Sequence, residues 1–144
     1  MVAGITIVCA AILLFGAGFH LYWGCGGHVG RSVALPQRPD GTQAFQSNPV
    51  GAILVALFLV GILVLVLALS GVVGLPVPQQ WLRVGAMLLS MLFLARALSW
   101  YRYVGFFKSI RNTRFAKYDT WMYCPLCLLL SLGLMAAAIL FSPE

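Results

Sequence analysis

The sequence predicts an all-α membrane protein, with four transmembrane helices in one compact bundle over residues 1–144. Three observations predict it. Hydrophobic residues make up 62% of the chain and charged residues only 8%, against about 25% charged in a soluble domain. So few charges cannot wet the surface of a globule, and the apolar excess needs lipid as its solvent. Four apolar runs each approach the roughly 20 residues that a helix needs to cross a hydrocarbon core about 30 Å thick. Seven of the nine Lys and Arg residues fall in or beside the two loops on one side of those runs.

The runs follow in order. Val2 to Trp23 is the first, with Thr6 and His20 as its polar members. Its start has no Lys or Arg and no small-x-small cleavage site follows, so it is expected to remain as a helix. Val50 to Gly74 is the second and carries no charge. Ser47-Asn48-Pro49 before it offers an N-cap with Pro at the first helical position, and Pro76 and Pro78 block continuation beyond it. Leu82 to Tyr103 is the third, with Arg96 inside and Arg102 at its end. Trp121 to Phe141 is the fourth. In lipid the backbone must satisfy its own hydrogen bonds, so runs of this length are helices. Trp23, Trp81, Trp100, Tyr101, Tyr103, Trp121 and Tyr123 lie at run ends, as an aromatic belt does. Gly16, Gly18, Gly61 and Gly133 are expected to allow close helix approach, though no G-x-x-x-G motif is present.

Charge gives the orientation. Arg31 and Arg38 lie in the loop 24–49. Lys108, Arg111, Arg114 and Lys117 lie in the loop 104–120, with Arg102 just before it. The opposite side holds only Arg83, and Arg96 is intramembrane. The positive-inside rule puts both long loops in the cytoplasm and both termini outside. Segment 105–120 is expected to lie along the cytoplasmic surface. There Phe106, Phe107, Ile110 and Phe115 would sink into the headgroup boundary while Lys108, Arg111, Arg114 and Lys117 snorkel towards phosphates. The blander alternative is a topology-setting basic loop. The net charge of +6 points to anionic lipid headgroups as partners rather than to nucleic acid.

Polar residues gather at the same end. His20, Arg96, Tyr103, Asp119 and Tyr123 have similar depth in these spans. Arg96, Trp100 and Tyr103 would share one face of the third helix at i, i+4 and i+7. A guanidinium within a span faces protein or a wet cavity, so it needs a partner. Of the three acids, Glu144 is at the outer terminus and Asp40 is mid-loop, which leaves Asp119. The expectation is an Arg96–Asp119 pair tying the third helix to the fourth. Its alternative has Arg96 snorkelling to phosphate and Asp119 capping the fourth helix. His20 is a candidate proton carrier, metal ligand or headgroup contact, or a hydrogen-bonded structural residue.

Cys9 reads as a packing residue. Cys124-Pro125-Leu126-Cys127 is a C-x-x-C at the expected start of the fourth helix, where a free helix N-terminus activates thiols. Together with Cys25 in the loop, this spacing resembles vitamin K epoxide reductases and disulfide-forming quinone reductases. It lacks their second loop cysteine, and the charge bias puts these thiols in a reducing compartment. Cys25-x-x-His28 with His20, Cys124 and Cys127 makes at best an incomplete thiolate–imidazole set, so no metal and no other cofactor is expected. Phosphate-cradling, serine-hydrolase and zinc-protease motifs are absent.

His20-Leu21-Tyr22-Trp23, Gly26-Gly27, Pro36, Arg96-Ala97, Tyr103-Val104-Gly105-Phe106-Phe107-Lys108, Thr113-Arg114-Phe115-Ala116, Asp119-Thr120 and Tyr123-Cys124-Pro125-Leu126-Cys127 together resemble the bacterial membrane-protein family of unknown function numbered 3995. The resemblance implies a four-helix bacterial membrane protein of actinobacterial or proteobacterial type, with no established activity. It also implies that His20, Trp23, Arg96, Asp119 and Tyr123 belong to a family pattern. Cys25 and Cys124 stand where relatives tend to carry Ala and Ser, which counts against a thiol mechanism.

The sequence therefore points to a binding protein for a lipid headgroup or small amphiphile. His20, Trp23, Arg96, Tyr103, Asp119 and Tyr123 are the candidate binding residues. A small membrane enzyme is the alternative, with His20 and Asp119 as acid–base candidates or Cys124 and Cys127 as redox candidates. A structural subunit of a larger complex, or a homo-oligomer, is the third.

Overall fold

A computed structural model describes residues 1–141; Glu144 lies outside the described residues. The chain is all-helical. Helices α1 (Val2–Gly24), α3 (Pro49–Leu69) and α4 (Gln79–Leu98) are long and apolar enough to cross a membrane, and so is the helical stretch Arg114–Leu140. That stretch comprises α5 (Arg114–Tyr118), a π-helical turn (Asp119–Tyr123) and α6 (Cys124–Leu140). A short helix, α2 (Arg31–Ala34), lies in the first long loop. The four spans make this a multi-pass membrane protein.

Packing pairs α1 with α3 and α4 with α6, and α1 against α6 joins the two pairs. Cys9, Leu13, Ile62, Val66, Ala86, Leu130, Leu134 and Ala137 fill the space between them. In lipid there is little hydrophobic drive between helices, so contact and polar bonding decide the packing. Ser90 and Ser131 supply the polar bond between α4 and α6. Each hydroxyl donates to the other's carbonyl, at 2.8 and 2.9 Å. Gly133 supplies closeness, since a Cβ there would collide with Cys9 Sγ. A Cβ on Gly16 would lie a tight 3.1 Å from Leu59, whereas one on Gly18 or Gly61 would meet nothing within 4 Å, so those two glycines do not serve a close approach.

Helix ends differ from the sequence expectation where loops fold back. The N-cap of α3 is as expected: Asn48 Oδ1 accepts the Val50 N–H at 3.0 Å, with Pro49 following. The same helix stops at Leu69 rather than Gly74, because Gly71 takes a positive φ and the chain turns there. Helix α4 ends at Leu98, not Tyr103, with Ser99 already extended. The Phe106 N–H returns to Ala97 O at 2.8 Å and the Phe107 N–H to Ser99 O at 3.2 Å. Trp100 and Tyr103 therefore do not share a helix face with Arg96.

Helical structure before the fourth span starts early, at Arg114, capped by Thr113 Oγ1 accepting the Ala116 N–H at 3.1 Å. Asp119 therefore does not N-cap the fourth span. The π turn has a local cause. Pro125 has no N–H to offer Trp121 O, and its ring crowds that carbonyl. Widening the preceding turn by one residue, with the Cys124 N–H bonding Asp119 O, relieves the conflict.

The two long loops cap one end of the bundle together. Tyr123 Oη donates to Val33 O at 3.1 Å, and the Phe115 N–H donates to Gln37 Oε1 at 3.1 Å. Phe45 packs edge-on to Tyr103 with ring centroids 6.0 Å apart. Arg31 reaches Ser47 within the first loop. Segment 105–120 is part of this cap rather than a strip lying on the lipid surface. Phe115 is buried, and Lys108 is only 1% exposed. Only Phe107 among the four apolar residues is well exposed, while Arg111, Arg114 and Lys117 remain outside.

Candidate functional site

Beneath the cap, one carboxylate organises the second long loop and two helical spans. Asp119 projects from the π turn and is fully buried. Its Oδ1 accepts from Arg96 Nη2 at 2.7 Å. Its Oδ2 accepts from Lys108 Nζ at 3.0 Å and from the Gly105 N–H at 2.9 Å. The Cys124 thiol donates to the same oxygen at 3.5 Å. The Arg96–Asp119 pair expected from the acid count is present, and it ties α4 to the fourth span.

The sequence reading missed Lys108. Its ammonium is held by Gly105 O at 3.0 Å, Asp119 at 3.0 Å and Thr120 Oγ1 at 2.6 Å. Those three acceptors match its three protons. A buried ammonium is tolerable only when paired and fully hydrogen-bonded, and this one is both. Periodicity could not separate it from the exposed Arg111, Arg114 and Lys117. The available signal was the glycine three residues before it. Gly105 has φ +97°, and a Cβ there would collide with Ser99 O. Only glycine lets this backbone turn its N–H to Asp119 and its carbonyl to Lys108.

Arg96 is placed differently. Its side chain is 31% exposed, and the bond to Asp119 is its one hydrogen bond among the described residues. Nη1 is shielded and has no partner there. Two cations face one carboxylate, so the cluster carries one net positive charge.

The other candidates divide between this cluster and the cap. Tyr123 spends its hydroxyl on Val33 O. Tyr103 packs on Phe45, and the Arg102 guanidinium lies 5.7 Å from its ring centroid. Trp23 Nε1 donates to Val29 O at 2.8 Å, and the His20 ring stands edge-on to Trp23 at 5.3 Å. His20 has no polar partner among the described residues. So Arg96 and Asp119 touch directly, whereas His20 with Trp23, Tyr103 and Tyr123 fasten or flank the cap.

The thiol arrangement differs from expectation. Cys124 follows a π turn rather than a free helix N-terminus, so no unbonded N–H groups face its sulfur. All four cysteines are free, with Cys124 buried and Cys25 exposed. Among the described residues no three His, Cys, Asp or Glu side chains cluster as metal ligands would.

The chain belongs to the family described as "Protein of unknown function (DUF3995)", whose model matches residues 12–134. The match covers every residue of the cluster and of the cap. No curated protein and no solved structure is detectably similar to it.

Proposed function

We propose that this protein binds the anionic headgroup of a membrane lipid, or of a small amphiphile, through Arg96 at the capped end of the bundle. One observation carries the reading. Arg96 belongs to a cluster with one net positive charge, is partly exposed, and uses one bond of the five that its guanidinium can donate. A planar guanidinium with free donors matches a phosphate or carboxylate in two-point contact.

The surroundings support it. Arg38, Arg102, Arg111, Arg114 and Lys117 are exposed at the same end, and among the described residues the only exposed carboxylate there is Asp40. Trp100 and Trp121, each more than four-fifths exposed, follow within four residues of Arg96 and Asp119 along the chain. Exposed indole rings beside basic side chains suit the headgroup boundary. In this reading the capped end faces the cytoplasm of a bacterial cell, with both termini outside. His20, Trp23, Tyr103 and Tyr123 then hold the cap that shapes the site. A thiol enzyme has less support, since Cys124 is buried and donates its proton to a carboxylate.

The test is lipid retention. Protein purified in mild detergent is exchanged into phosphatidylglycerol–phosphatidylcholine mixed micelles, and bound lipid is read by native mass spectrometry. Wild type is expected to keep phosphatidylglycerol selectively, and Arg96→Gln to lose that selectivity. Equal selectivity in the two proteins would refute the proposal.

A further inference from the structure

We infer that Lys108 sets the charge of the Arg96 site: it neutralises Asp119 from inside the protein and so leaves Arg96 a net cation for a phosphate-bearing anion. This rests on the headgroup reading and names what tunes it. Asp119 divides its oxygens between the two cations, Oδ1 to Arg96 and Oδ2 to Lys108. Lys108 is 1% exposed and its three protons are committed to Gly105 O, Asp119 and Thr120. It contacts no external anion, so its charge acts through the field of the cluster and not by touching a ligand. Arg96 is the member that is open to the outside. Without Lys108, the Arg96–Asp119 pair would be neutral, and a bound anion would meet Asp119 as an uncompensated like charge. Lys108 is therefore a positioning and specificity residue, distinct from a residue that touches the ligand.

Counting charges gives a test that a merely structural role fails. Lys108→Met keeps the apolar stem and takes the cluster from one net positive charge to zero. Lys108→Met combined with Asp119→Asn returns it to one, and the Asn carbonyl can still accept the Gly105 N–H. Asp119→Asn alone raises it to two. Phosphatidylglycerol affinity is measured for each protein in phosphatidylcholine micelles, with melting temperature as the folding readout. Lys108→Met is expected to weaken binding by about tenfold or more, because one unit charge lost within several ångströms matters on that scale. The double variant is expected to return to within about threefold of wild type, and Asp119→Asn alone to bind more tightly than wild type.

If the double variant binds no better than Lys108→Met, or Asp119→Asn binds no more tightly than wild type, the inference is overturned. Should Lys108→Met not fold, the Asp119→Asn and double-variant comparisons decide alone. An Arg96→Gln protein that binds like wild type sinks the headgroup reading itself. Loss in Arg96→Gln with wild-type binding in Lys108→Met sinks only the role of Lys108. Soluble glycerol phosphate as competitor separates the sources of phosphate. Its failure to displace the lipid is expected of a headgroup site, and displacement at millimolar concentration would assign the same charge logic to a free phosphate ester.

Discussion

Replacing Asp119 by Ala removes the acceptor that joins α4, the second long loop and the fourth span, and the cost can be worked from the contacts. Lys108, 1% exposed, would keep Gly105 O and Thr120 Oγ1 but lose its only counter-charge. Stripping one partner from a buried ion pair costs about 3–5 kcal/mol, and the two surviving bonds favour the lower end. The buried Gly105 N–H loses its acceptor, which adds about 1 kcal/mol. The Arg96 bond adds less than about 1 kcal/mol, because that side chain is 31% exposed and screened. The sum is about 4 kcal/mol, a large share of the stability of a small domain. The assay is reversible unfolding in mixed micelles with increasing dodecyl sulfate, read by tryptophan fluorescence. Asp119→Asn should lose less, since its carbonyl can still accept from Gly105 or Lys108. If Asp119→Ala unfolds within about 1 kcal/mol of wild type, the carboxylate does not hold the cap and the reasoning fails.

Other perturbations separate the parts of the account. Gly105→Ala should destabilise the cap, because φ +97° is strained for any side chain and Ser99 O blocks the Cβ; faster proteolysis at residues 99–113 is the readout, with Gly41→Ala in an open turn as the milder comparison. Gly133→Val should cost about 1–3 kcal/mol by forcing α6 away from Cys9, whereas Gly61→Val, facing open space, should leave the melting temperature within error of wild type. The exposed Cys25 reports the side of the capped end: an impermeant maleimide should label it only after lysis, and labelling in intact cells would invert the proposed orientation. Asp40 is held below the usual carboxylate range by the Thr42 hydroxyl and N–H; the contribution of this turn is therefore present above the ordinary carboxylate pKa and is lost as pH falls through the lower folded value, so Thr42 amide exchange should quicken only below about pH 4.

The membrane fold was legible because its signal is long and redundant. Four apolar runs, the Asn48-Pro49 cap and the charge asymmetry each pointed to the same bundle. The Arg96–Asp119 pair was legible by elimination, since three acids left one at the right depth. Helix ends were less so. The third run looked helical to Tyr103 because Trp100, Tyr101 and Tyr103 extend it with aromatic rings, yet those residues return over the end of α4. Hydropathy reads depth, and it cannot distinguish a helix from a loop folded back at the same level. Lys108 was misplaced for the related reason that a basic residue in a basic loop reads as solvated. Its burial depends on Gly105 turning a carbonyl towards it and on Asp119, fourteen residues beyond that glycine, arriving opposite. The C-x-x-C was placed at a helix start because the fourth apolar run begins at Trp121, whereas helical structure already runs from Arg114 and the motif follows a widened turn within it.

The central claim is that Arg96 meets a lipid phosphate, and solid-state NMR tests it most directly. Protein with ¹⁵N-labelled arginine is reconstituted in phosphatidylglycerol bilayers, and the dipolar coupling between guanidinium nitrogens and lipid ³¹P is compared with that of Arg96→Lys. The account expects a short-range coupling in wild type that disappears in the variant. Identical couplings in the two proteins would place the phosphate elsewhere and contradict it.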